Sequence, residues 1–148
     1  MTEILFYHLE TQPLEHVLPV LLEKSLERGW KAVVETGSPE RAEVIDQLLW
    51  TYRDDSFLPH SRAGGDADAL QPVLITDRPH NPNAAQVRFF VDRAVPQSGD
   101  DYERIVFMFS GHDPDAVSEA RTAWKALKQG NTLTYWQQDE SGRWQKRG

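Results

Sequence analysis

The chain has 148 residues, with 23 acidic side chains against 16 basic, a formal net charge of −7 and no cysteine. One domain of this length buries roughly two thirds of its unfolded surface, and without cysteine it has neither disulfides nor thiolate metal sites. The acidic balance argues against a stand-alone nucleic-acid binder, which needs basic surface to displace counterions from phosphates.

Met1-Thr2-Glu3 lacks a basic leader, and no apolar run approaches the ~18 residues of a membrane span, so a soluble cytoplasmic protein is expected. Ile4 to Leu9 reads as a buried strand. Pro13 opens a helix with Leu14, Val17, Leu18, Leu21, Leu22 and Leu26 on one face. Pro19 inside it predicts either a kink or an irregular first turn, and Gly29 ends it. Trp30 to Glu35 is the second strand. Gly37-Ser38-Pro39 supplies a turn, an N-cap and a first-turn proline to a helix burying Ala42, Ile45, Leu48 and Leu49.

That helix runs into Trp50, turns polar through Arg53 to Ser56, and delivers Phe57-Leu58-Pro59-His60. Trp50 and Phe57 bracket an acidic turn; they are either core anchors or the apolar part of an interface. Ser61 to Gln71 reads as a loop, Pro72 to Thr76 as a strand, Arg78 to Asn83 as a loop and Val87 to Val91 as a strand. Pro96 to Asp101 is a polar connection before the strand Ile105 to Phe109. Asp113-Pro114 caps a helix burying Val117, Ala120, Trp124 and Leu127, which Gly130 stops. Thr132 to Gln138 and Arg143 to Arg147 form a closing hairpin. Alternating strands and helices give an α/β fold: a single Rossmann-like domain over residues 1–148, with a mostly parallel sheet covered on both faces.

Nucleotide hydrolysis is rejected, because the first strand leads into His8-Leu9-Glu10-Thr11-Gln12-Pro13, with no glycine turn to cradle phosphates. Ser110-Gly111-His112-Asp113 follows a strand end, where open α/β sheets bind ligands, and suggests a hydrolase-type site. However, adjacent triad members do not normally fold into a relay, and no nucleophile elbow accompanies them. His60 and His80 lack metal-ligand spacing and read as turn residues satisfied by backbone; no metal or cofactor is expected.

From Arg121 onward, Arg121, Lys125, Lys128, Arg143, Lys146 and Arg147 stand against Asp139 and Glu140, a local charge of +4 that leaves −11 on the first 120 residues. On a helix, Arg121, Lys125 and Lys128 share one face, bordered by Val117 and Trp124. Such a stripe suits an acidic peptide ending in an aromatic residue: a cation clamps the terminal carboxylate while an apolar pocket takes the ring. A second reading uses Trp124, Trp136 and Trp144 with the nearby cations to bind single-stranded DNA directly.

Phe6-Tyr7, Leu49-Trp50, Ser56-Phe57-Leu58-Pro59-His60 and Pro72-Val73-Leu74-Ile75-Thr76 form an ordered set of segments. It continues through Ala120-Arg121-Thr122-Ala123-Trp124-Lys125 with Gly130 beyond, and Leu133-Thr134-Tyr135-Trp136. Together these segments resemble the chi subunit family of bacterial DNA polymerase III. The resemblance implies a non-catalytic accessory subunit associated with the clamp loader, with a Rossmann-like fold lacking a phosphate loop. It implies that Arg121 and Lys125 help bind the acidic C-terminal tail of single-stranded-DNA-binding protein (SSB), and that Trp50 and Phe57 meet the psi subunit or another partner. The chain departs from better-known members in a shorter connection to Gly130 and a longer C-terminus, so Lys128, Arg143 or Arg147 are expected to share the tail site.

Overall fold

The computed structural model describes residues 2–51, 59–65, 68–96 and 102–147. Its strands are β1 (Glu3–Leu9), β2 (Ala32–Glu35), β3 (Ser61–Arg62), β4 (Val73–Thr76), β5 (Val87–Phe90), β6 (Arg104–Ser110), β7 (Thr132–Gln138) and β8 (Trp144–Lys146). They form one sheet in the order β3-β4-β2-β5-β6-β1-β7-β8, parallel throughout except for the terminal β7–β8 hairpin.

Three helices cover this sheet. In α1 (Leu14–Glu27) and α2 (Pro39–Thr51), Leu18, Leu22, Ile45 and Leu49 pack against Val34, Ile75, Phe89 and Met108 on one face. On the other face α3 (Pro114–Leu127) places Ala116, Ala120, Ala123 and Leu127 over Ile4, Phe6, Ile105 and Phe107. The expected α/β architecture is therefore present. The inner row of α3 differs from expectation: Ala116 and Ala123 are buried, whereas Val117 and Trp124 are half-buried at the seam between helix and sheet. Three alanines on the inner row let the helix approach the sheet closely and push the larger side chains to its flank.

Local chemistry explains the helix ends. Gly29 adopts φ +82°, Gly29 N–H donates to Leu26 O at 3.0 Å and Trp30 N–H to Ser25 O at 3.1 Å, a Schellman stop. The Asp113 carboxylate accepts from Asp115 N at 3.0 Å and Ala116 N at 3.3 Å at the start of α3. α1 continues through Pro19, and its first turn is tightened, His16 N–H donating to Pro13 O at 3.0 Å.

The segment read as a loop from Ser61 to Gln71 contains the short edge strand β3 and a 3₁₀ turn at Asp68–Leu70. The loop after β4 is tied down by buried polar groups. Asn83 donates to Ala32 O at 3.1 Å and Gln71 O at 3.0 Å. Arg88, 2 % exposed in the middle of β5, pairs with Glu35 and donates to His80 O and Arg78 O, each at 2.7 Å. A Tyr102 hydroxyl 3.0 Å away completes its partners.

Candidate functional site

The parallel sheet leaves two distinct regions of interest: the seam between α3 and β7, and the crevice at the carboxyl ends of β1 and β6. Arg121 and Lys125 of α3 and Lys128 at its C-cap are exposed on the side away from the alanine row, and Val117 and Trp124 flank them. The helix thus brings all five sequence-derived residues onto one side. Trp124 stands edge-on to Phe6 at 5.1 Å and to Tyr135 of β7 at 5.9 Å.

Tyr135 and His8 form the polar part of this seam. The Tyr135 hydroxyl lies 2.6 Å from His8 Nδ1. With the hydroxyl donating, the neutral ring carries its proton on Nε2. His8 Nε2 is 2.8 Å from Glu10 Oε1 but off the ring's N–H direction, so the contact is a charge approach without an aligned hydrogen bond. Burial lowers the His8 pKa, outweighing the Glu10 carboxylate, which raises it; His112 and Arg121 lower it further. Burial raises the Tyr135 pKa, while Arg121 pulls it down. Arg121 therefore acts electrostatically on both groups.

The hairpin adds another cation. Arg147 N–H donates to Tyr135 O at 2.8 Å, and the pairing of Trp136 with Lys146 sets Arg147 opposite Tyr135 on the α3 side of the sheet. Of the contributors expected from the C-terminus, Arg147 thus comes beside the seam. Local reading of the sequence assigned no role to Tyr135 and weighed His8 only as a strand-end residue. Their meeting depends on β1 lying next to β7, which pairs Phe6 with Tyr135 and sets His8 two residues further along the same face.

The crevice between the ends of β1 and β6 has a volume of about 570 Å³ and includes Glu10, Glu15, Asp92, Arg93, His112 and Asp113 in its lining. Its Ser-Gly-His-Asp run forms no relay. Ser110 Oγ accepts from His112 N at 3.2 Å, and His112 Nε2 is 2.6 Å from Glu10 O. The Asp113 carboxylate caps α3 and pairs with Arg93 at 3.4 Å. Asp92 and Arg93 adopt left-handed φ of 49° and 76° at its lip.

Among the described residues no group of three His, Asp or Glu side chains is placed to hold a metal ion, and no helix is long and apolar enough to cross a membrane. His60 is buried, with Nε2 3.1 Å from Asp46 O and 3.2 Å from Asp46 Oδ1. His80 Nε2 meets the Thr76 hydroxyl at 2.7 Å, a side-chain partner where a backbone one was expected. Trp50 is 53 % exposed and its ring lies 4.7 Å from that of His60. It is therefore a surface residue at the end of α2, and Phe57, its expected companion, lies outside the described residues.

The three tryptophans expected to share a DNA-binding groove are separated. Trp124 belongs to the α3 face, whereas Trp136 and Trp144 line a groove beside α1 on the other.

Comparison with known proteins adds a family. Residues 1–134 match the model described as DNA polymerase III chi subunit, HolC. A probable DNA polymerase III subunit chi of Rickettsia prowazekii is 32 % identical over 87 residues, covering 59 % of this chain and 53 % of that protein. A DNA polymerase III subunit chi of Pseudomonas aeruginosa is 29 % identical over 84 residues, covering 55 % of this chain and 59 % of that protein. The chain thus spans a little over half the length of each of these relatives.

Proposed function

We propose, on the premise that this chain belongs to the DNA polymerase III chi subunit family, that it is a non-catalytic adaptor of the replicative polymerase. In this reading α3 takes the acidic C-terminal tail of SSB. The end of α2 around Trp50, with Phe57, meets psi or another polymerase or helicase component and so reaches the clamp loader. DNA is reached mainly through SSB, in the cytoplasm, and no cofactor takes part.

The observation that carries the reading is the exposed row Arg121, Lys125 and Lys128 beside the half-buried Trp124–Tyr135 seam. A row of cations offers charge-assisted hydrogen bonds to carboxylates, and a ring seam offers an apolar rest for a terminal aromatic side chain. Mechanistically the adaptor works through effective concentration. Many tails on coated DNA hold the assembly near its template through individually weak contacts.

The test is titration of the protein with the SSB C-terminal peptide. Binding in the micromolar range that weakens with salt, and falls about tenfold in Arg121→Ala or Lys125→Ala, is expected. A wild-type protein that ignores the peptide would overturn the reading.

A further inference from the structure

The groove beside α1 lies on the sheet face opposite the proposed tail site and is built partly from the hairpin beyond residue 134, where the family match ends. Its floor crosses three neighbouring strands: Tyr7 of β1 is in register with Trp136 of β7, which is in register with Lys146 of β8. Residues directly opposite one another project from the same face, so Tyr7, Trp136, Trp144 and Lys146 stand together. Val20, 43 % exposed, and Lys24 of α1 form the opposite wall of a cleft of about 310 Å³.

Two features of this cleft give its chemistry. First, no carboxylate is among its lining residues, in a chain where acids outnumber bases 23 to 16. Lys24 of the lining, and Lys146 next to the cleft in register with Trp136, form no ion pair among the described residues. Second, the rings are fixed in advance: Tyr7 and Trp144 meet edge to face at 4.9 Å, so little ordering is left for a ligand to impose.

We infer that this groove binds a short stretch of single-stranded nucleic acid, one or two bases resting on Tyr7, Trp136 and Trp144 while phosphates meet Lys24 and Lys146. Bases carry a flat π-face that an aromatic floor accepts whatever the sequence, and a duplex hides those faces inside its stack. An extended acidic peptide would also want main-chain partners. Here the β7 amides are directed within the sheet toward β1 and β8, so the floor presents side chains only. The inference is independent of the tail site on α3.

The experiment is fluorescence anisotropy of a labelled oligothymidylate about twelve nucleotides long at low salt, with no SSB present. Two phosphate contacts give a slope of about −1.4 in log K against log salt, reduced to about −0.7 when one lysine is lost. Trp144→Leu and Lys24→Glu each weaken binding roughly fivefold or more, while Arg121→Ala leaves it unchanged. Lys24 is exposed on α1, so its variant reports on binding even where Trp144→Leu disturbs folding. The inference is overturned if the wild type does not bind the oligonucleotide. It is equally overturned if Lys24→Glu leaves binding intact, or if an acidic peptide with a terminal aromatic, and not the oligonucleotide, quenches the groove tryptophans.

Discussion

The Tyr135 hydroxyl stands 2.6 Å from His8 Nδ1, joining two neighbouring parallel strands behind the cationic row of α3. Removing the hydroxyl leaves a buried ring nitrogen without that partner. Tyr135→Phe is expected to lose about 1–2 kcal/mol in urea denaturation, with little change in the slope of the transition.

The same pair gives a pH dependence. Burial holds the folded His8 pKa below its ordinary value of about 6.5, so below that value the unfolded chain binds more protons than the folded one. The contribution of His8 is complete above about pH 6.5 and is lost as pH falls through the lower folded value. His8→Gln should flatten stability against pH in this window, measured by urea midpoints at successive pH values.

Gly111 lies against the same histidine. A Cβ at this position would overlap His8 Nε2 and crowd the Glu10 carboxylate. Gly111→Ala must displace His8 or shift the β6–α3 turn, and a loss of about 1–3 kcal/mol is expected, read from thermal or urea unfolding. In the His8→Gly background the same substitution should cost markedly less, which separates overlap from a general turn effect.

Arg88 is a buried cation whose partners span three segments: Glu35 on β2, the carbonyls of Arg78 and His80 in the loop after β4, and the Tyr102 hydroxyl before β6. Arg88→Met leaves Glu35 and two loop carbonyls unanswered, and about 3–5 kcal/mol of stability should be lost. Adding Glu35→Gln should cost little more, because the first substitution has already broken the pair; a double-mutant cycle in urea measures this.

Asp139 organises the β7–β8 turn. Its carboxylate accepts from Ser141 Oγ at 2.7 Å and from the backbone N–H groups of Ser141 and Arg143, each at 2.9 Å. The Ser141 hydroxyl is the leading cause that holds its pKa down to about 2. A depressed carboxylate stabilises the turn above its ordinary value near 4 and loses that effect as pH falls through about 2. Asp139→Asn should raise amide exchange at Gly142 and Arg143 at neutral pH and remove the acid transition from Trp144 fluorescence.

Much of this organisation was legible in local chemistry. Gly29 and Gly130 mark helix stops because both need φ near +82°, and the spacing of Arg121, Lys125 and Lys128 places three cations on one side of α3. What escaped local reading depends on strand order. His8 meets Tyr135 only because β1 lies between β6 and β7, and Arg88 meets Glu35 only because β5 lies beside β2. Trp124 looked like a core residue by period. The alanines at 116, 120 and 123 take the inner row instead, and a helical period cannot tell which of two adjacent rows faces the sheet. The strand Ser61–Arg62 was read as loop because a two-residue edge strand carries too few side chains to show alternation.

The order of the strands also fixes a distance. α2 packs on β3 and β4 from one face, and α3 packs over β6, β1 and β7 from the other. From β4 to β7 there are five strand spacings, about 24 Å at the usual 4.8 Å per strand, with the thickness of the sheet between them. Partners bound as proposed at the two helices would be held apart by this spacing, and neither would crowd the other. Their binding free energies should simply add, so that a chain engaged at one surface remains fully available at the second.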